Sequence, residues 1–298
     1  MSTVPAPPRT GIAARLRLVA ELGKLRITLL STLSALMGYV LAAGGVDAGL
    51  LVTLAGTWVL AVGSSTLNQI QERTLDARMA RTRNRPLPSG RLSASAARAI
   101  AFVEILGGSM LLLATGSLWP WLLGLTAVLW YNGVYTPLKR RTAFAVVPGA
   151  LIGAIPPVMG WTAAGGSPAD PRILVVALFF FIWQVPHFWL LLFRYGPEYR
   201  EAGFPSLTDV FDNRQLSRLT FSWTVATAAG CLLLPLFGAV RSDLSGLILL
   251  IGAALLVIQS ARLLIGSAGP TRFFGAFRVI NAFALLAIVA GFLDPWLA

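Results

Sequence analysis

Apolar residues in this chain come in long blocks. Runs at 25–44, 49–69, 95–116, 119–136, 143–163, 172–193, 219–239, 244–265 and 275–294 are each bounded by glycine, proline or charge. Most approach the roughly 20 residues that an α-helix needs to cross ~30 Å of hydrocarbon at 1.5 Å per residue. Backbone in lipid must satisfy its own hydrogen bonds, so the runs are predicted to be helices and the fold class all-α. Nine spans make one membrane domain over 25–298, preceded by a basic N-terminal tail over 1–24. The tail begins MSTVPAPPRTGIAARLRL, is Pro-rich with no cleavable signal pattern, and leads into an interfacial helix around Ile12–Leu22.

Composition agrees with the pattern. Of 298 residues 56% are hydrophobic and 12% charged, where a soluble domain carries about 25% charged; mean hydropathy is +0.74. A net charge of +12 invites a nucleic-acid reading, but the cations sit in short loops between apolar spans, which is the signature of membrane topology and excludes that partner. Of the 24 Lys and Arg residues, only Arg172 and Arg241 fall on the minority side of the alternating loops. The bias puts the N-terminus in the cytoplasm and the C-terminus, near Asp294, outside, as an odd number of spans requires. A multi-pass protein of a bacterial inner membrane is expected. Cys231 is the only cysteine, so no disulfide framework or thiolate metal site is expected.

Candidate chemistry gathers on the cytoplasmic side. Asn68, Glu72 and Asp76 are spaced by four and share one helix face at the end of the second span. Oxygen ligands one turn apart suit Mg²⁺, which binds through one or two carboxylates plus phosphate oxygens. The plain alternative is a solvated helix end, with Glu72 and Asp76 paired to Arg73 and Arg78. Directly after comes Arg78-Met79-Ala80-Arg81-Thr82-Arg83-Asn84-Arg85-Pro86, a dense set of guanidinium forks suited to phosphate. Tyr135, Lys139 and Arg140 end the fourth span, where a tyrosine and cations also fit an interfacial belt. His187, the only histidine, follows Pro186 and stands one turn after Gln184, either packed or as a ligand. The loop after that span offers Glu198 and Glu201 as further metal or diphosphate contacts, or as ion-pair partners of Arg194 and Arg200.

Taken in order, Asn68…Glu72…Asp76, MARTRNRPLPSG at 79–90, YTPLKRRT at 135–142, GAIPPVMGW at 153–161, WQVPHF at 183–188 and YREAGFP at 199–205 resemble the UbiA-type intramembrane prenyltransferase superfamily. Within it the likeness is to the branch that farnesylates protoheme IX. The resemblance spans about residues 64–207. It implies a nine-helix bundle with a central cavity open to the cytoplasmic side, and Mg²⁺-dependent loss of diphosphate from farnesyl diphosphate. The farnesyl carbon then joins a vinyl group of heme b, and water adds to give heme O. Asn68, Glu72 and Asp76 would hold Mg²⁺ and diphosphate. Arg81, Arg85 and Lys139 would bind diphosphate oxygens, with Arg140 beside them, and Tyr135 would lie near the allylic carbon. His187 would contact heme or its propionates, with Gln184 next to it. Membrane lipids surround the site, and a heme A synthase or terminal oxidase assembly is the downstream partner that the resemblance implies.

The chain departs from the family pattern in places. Glu72 stands where Asp is usual; Ser206-Leu207-Thr208 replaces Met-Leu-Pro; Phe277 and Arg278 stand around where a serine is expected. Two competing readings have discriminating features. A UbiA-type enzyme for an aromatic quinone precursor or chlorophyll-type alcohol would carry a second Asp-rich motif near 187–201, absent here. A transporter would show repeat symmetry with polar residues near mid-bilayer, whereas here they crowd one interface.

Overall fold

Several of the long helices start where a short polar side chain takes an otherwise unpaired backbone amide. Asp47 accepts from Leu50 N, Ser93 from Ala96 N, Asp170 from Arg172 N and Ser242 from Ser245 N. Asp212 does so in a reciprocal box with Gln215. The structure is a computed structural model that describes residues 11–265 and 270–298. The first ten residues of the expected tail lie outside the described residues, as does part of the loop before the ninth expected span.

The described residues are helical, with no strand among them. They form α1 (Ile12–Gly23), α2 (Leu25–Ala43), α3 (Ala48–Asp76), α4 (Ala94–Leu113), α5 (Leu118–Leu129), α6 (Thr136–Leu138), α7 (Val146–Gly149), α8 (Leu151–Ala163), α9 (Pro171–Glu201), α10 (Asn213–Leu236), α11 (Asp243–Ala261) and α12 (Pro270–Leu297). Seven helical segments are long and apolar enough to cross a membrane: Ala48–Asp76, Ala94–Leu113, Ala143–Ala163, Pro171–Phe193, Asn213–Leu236, Asp243–Ala261 and Arg272–Leu297. The bent pair Arg17–Gly23 and Ile27–Ala43 makes up to eight if it is one span.

Two of the nine expected spans therefore differ from plain long helices. The run at 25–44 breaks from its predecessor at Lys24, which has a left-handed backbone (φ 49°). The run at 119–136 stops being α-helical at Trp130 and widens into a π-helical stretch, Trp130–Tyr135. A third difference lies past the sixth run, where α9 continues beyond 193 to Glu201. Glu198 and Glu201, expected in a loop, stand on its last turns.

Close packing comes from small residues, as lipid-embedded helices require. A Cβ built at Gly38 of α2 would meet Pro157 O of α8 at 1.9 Å, so the two backbones touch. Gly108 of α4 does the same for α3, where a Cβ would lie 2.5 Å from Leu60 N. One large core of α2, α8, α9, α10, α11 and α12 centres on Phe179, Met37, Leu249 and Ile280. Leu22 of α1 packs with Ile70, Leu87, Ala97 and Ala101, which fixes α1 beside the end of α3. Lipid-facing residues such as Phe102, Val103, Leu247 and Ile258 remain exposed.

Candidate active site

The end of α3 carries the site because one helix face puts Asn68, Glu72 and Asp76 inside the bundle. All three are buried. Buried charge needs partners, and each residue has one from another segment. Asn68 accepts from Lys24 Nζ at 2.7 Å and donates to Thr136 Oγ1 at 2.9 Å. Glu72 pairs with Lys139 Nζ at 2.6 Å. Asp76 pairs with Arg85 Nη1 at 2.8 Å, while Thr82 Oγ1 donates to the Asp76 carbonyl at 2.8 Å. The solvated-end alternative does not hold: Arg73 turns back to Ile70 O, and the carboxylates reach Lys139 and Arg85 instead.

Tyr135, Lys139 and Arg140 arrive through the π-helical stretch. The Thr136 backbone N–H donates to Tyr131 O, five residues back, and its side chain donates to the same carbonyl at 2.9 Å. A turn this wide is uncommon and frequent at functional sites. It stacks the rings of Tyr131 and Tyr135 at 5.8 Å and sets Lys139 Nζ 5.0 Å from the Tyr135 ring centre. Asn132 donates to Ser64 Oγ at 2.7 Å, and Gln71 donates to Asn132 O at 3.0 Å. Arg140 donates to Gln71 O.

The arginine loop divides in two. Arg85 belongs to the buried network. Arg81 is exposed and turns towards α9: its guanidinium sits 4.8 Å over the Tyr195 ring and donates to Tyr199 Oη at 3.4 Å, and its amide donates to Glu198 Oε2 at 3.3 Å. Glu198 thus anchors the loop and is not among the α3 carboxylates. Arg200 pairs with Asp209 at 3.4 Å, and Glu201 is exposed. A surface recess lined by Leu232, Arg241, Ser242 and Asp243 carries none of these residues.

His187 and Gln184 lie deeper along α9. The imidazole sits between the rings of Trp183 (4.8 Å) and Phe277 (5.1 Å), with Phe188 edge-on at 5.4 Å. Phe188 also meets Tyr135 at 6.3 Å, which links this cage to the charged network. Phe277, a departure from the family pattern, is one wall of the cage.

Sequence reasoning missed Lys24, Tyr131, Asn132 and Thr136. Lys24 read as one topogenic cation among many. Its signal was its place at the break between an amphipathic and an apolar run, directly after Gly23.

The donor set suits Mg²⁺ with help. Asn68, Glu72 and Asp76 offer only oxygen, as that hard ion prefers. Among the described residues no group of three or more His, Cys, Asp or Glu could hold a metal alone. Phosphate oxygens would complete the shell.

Helices packed through glycine, with a carboxylate pair and cations at one end, define an intramembrane enzyme handling an anionic substrate. The profile of the UbiA prenyltransferase family matches residues 31–281, and the chain belongs to that family. It is 49% identical over 213 residues to a protoheme IX farnesyltransferase of Geobacter sulfurreducens, covering 72% of this chain and 78% of that one. It is 39% identical over 274 residues to a protoheme IX farnesyltransferase of Oleidesulfovibrio alaskensis, covering 92% and 96%. In fold it matches a solved digeranylgeranylglyceryl phosphate synthase, with TM-score 0.77, 14% identity and 95% and 99% coverage. A UbiA homolog from Archaeoglobus fulgidus bound to GPP and Mg²⁺ matches with TM-score 0.69, 14% identity and 94% and 99% coverage.

Proposed function

We propose that this prenyltransferase uses Mg²⁺ to transfer the farnesyl group of farnesyl diphosphate to a vinyl group of protoheme IX, giving heme O and diphosphate. The observation that carries the chemistry is the set of cross-segment pairs, Lys139–Glu72 and Arg85–Asp76, joined to Lys24–Asn68. Each joins an oxygen donor fit for a metal to a cation fit for phosphate, so a metal–diphosphate pair satisfies both halves at once. The acceptor rests on the likeness to protoheme IX farnesyltransferases over most of the chain.

Lys139, Arg85 and Lys24 bind the diphosphate oxygens and oppose the charge that grows as the carbon–oxygen bond breaks. Asn68, Glu72 and Asp76 would hold Mg²⁺, which would supply positive charge against the departing diphosphate. Tyr135 presents a ring face to the allylic carbon; that face already lies near a cation, Lys139 Nζ. The apolar walls keep bulk water from the farnesyl cation. Arg81, tied to Tyr199 and Glu198, closes the loop over the site, with Arg140 and Glu201 at its edge. His187 and Gln184 contact the heme. The same proposal includes nine spans, a central cavity open to the cytoplasmic side, a bacterial inner membrane with N-terminus inside and C-terminus outside, and delivery of product to a heme A synthase or terminal oxidase assembly.

The test is to extract hemes from membranes that contain this protein, supplied with farnesyl diphosphate and Mg²⁺, and weigh them. A heme heavier than heme b by one farnesyl group plus one hydroxyl supports the reading. Heme b alone, from inserted protein, overturns the acceptor, and prenylation of an added aromatic acceptor would replace it.

A further inference from the structure

Two buried acceptors near the aromatic cage have no partner and no part in the diphosphate chemistry. They are Gln184 Oε1 and His187 Nδ1. Three residues apart on α9, they share a face. Buried polar atoms are almost always paired, so an unpaired set asks which donor meets it.

Their position is set by two glycines. A Cβ built at Gly149 would run into the Tyr135 ring at 2.4 Å, and one built at Gly153 would meet Gln184 Oε1 at 1.8 Å. Gly149 ends α7 and Gly153 lies in the first turn of α8, so Tyr135 and Gln184 lie against neighbouring turns of that segment, ~6 Å apart. Phe188 bridges the Tyr135 and His187 rings. Asn281, whose amide nitrogen donates to Phe277 O at 2.5 Å, is the polar neighbour of the imidazole from α12. The two acceptors thus sit one turn beyond the ring assigned to the allylic carbon, between aromatic walls.

With the proton of the neutral imidazole on Nε2, both atoms accept, and a species with two O–H donors and a free lone pair, water, fits them. We propose that Gln184 Oε1 and His187 Nδ1 hold the water molecule that hydrates the prenylated vinyl group. This inference rests on the heme-prenylation reading above. The farnesyl C1–O bond breaks, and its electron pair leaves with diphosphate. C1 bonds to the terminal vinyl carbon through the vinyl π pair, which leaves positive charge on the carbon attached to the porphyrin. The held water adds its oxygen to that carbon, and its proton passes to His187 Nδ1 and then to diphosphate or solvent. Without the water, the same cation loses a proton to form an alkene.

The ratio of hydroxylated to dehydrated product separates this role from a structural one. Wild-type membranes are expected to give only the hydroxylated heme. Gln184→Met should move at least about tenfold more product into a farnesyl heme lighter by one water, and Gln184→Glu, which keeps an acceptor oxygen, should restore hydroxylation. Gln184→Met product that stays fully hydroxylated overturns the inference, whatever the rate. If that variant gives no prenylated heme, Gln184→Asn is read the same way and should show a graded loss of the hydroxyl. Absence of all product from both variants, with protein inserted and heme b still bound, also overturns it, because the residue would then act before the carbon–carbon bond forms. Failure of the wild type to prenylate heme would instead sink the reading beneath it.

Discussion

The two ends of the bundle spend their polar side chains differently. At the end with Asp47, Asp170 and Asp294, carboxylates close backbone. Asp47 caps α3 and takes the Tyr39 hydroxyl at 2.6 Å, a bond that holds its carboxyl below the ordinary carboxylate range. Asp170 caps α9 and chelates Arg172, whose hydrogen bonds hold it low in the same way. Asp294, buried on α12, accepts from the amides of Arg241 and Ser242 at 2.9 Å each. At the other end, Glu72 and Asp76 meet side-chain cations from other segments. A carboxylate on a backbone amide has no second use. One facing a mobile ammonium or guanidinium can exchange it for a metal and release the cation to a phosphate. Partner type and the distance it bridges, more than charge or location, separate Glu72 and Asp76 from the carboxylates that fasten backbone, Asp212 at their own end among them.

Substitutions can break that contrast. The largest effect is expected for Asp76→Asn, which keeps the shape but removes a charge needed for the metal: turnover should fall at least about 100-fold while the protein stays inserted and monodisperse. Near-normal turnover would place Asp76 with the fastening carboxylates. Next is Lys139→Ala, which removes a charge-assisted contact of about 1.5–3 kcal/mol. The KM for farnesyl diphosphate should rise about tenfold or more, with the dependence on heme concentration unchanged; an unaltered KM would remove Lys139 from the diphosphate site. Asp294→Ala should leave activity per folded molecule alone and lower stability by about 2 kcal/mol or more, since two amides lose their acceptor. Thermal unfolding in detergent reads it, and a loss of activity without a loss of stability would contradict the contrast. Tyr39→Phe should do least: unchanged activity and a smaller drop in unfolding temperature than Asp294→Ala.

How much of this was readable in the chain depends on the range of the contact. The apolar runs and the acidic face of α3 are local, and seven of the nine runs reappeared as helices long and apolar enough to cross a membrane. The partners were not local. Glu72 has Arg73 beside it in sequence, yet on a helix adjacent residues diverge, and the cation that reaches Glu72 comes from 67 residues away. Asp294 was read only as lying near a C-terminus outside the membrane because the amides it takes belong to residues 52 and 53 positions earlier. Lys24 was hidden because a cation beside a span has a sufficient explanation in topology, and only its left-handed backbone turns it into the site. The continuation of α9 was missed because the apolar run ends at Arg194, although the helix goes on through Gly196 and Pro197 to Glu201.

The π-helical stretch at Trp130–Tyr135 has a bearing on how this span tolerates changes of length. Such a turn holds one more residue than an α-turn, so it acts as slack in the reading frame of the helix. A deletion at Gly133 uses up that slack and leaves Lys139 on its own face, opposite Glu72. The same deletion in a helix without slack, such as α3 ahead of Asn68, would turn everything downstream by about 100°. Within the helices that carry the site, the segment bearing the aromatic rings is thus a place where chain length and side-chain direction are uncoupled.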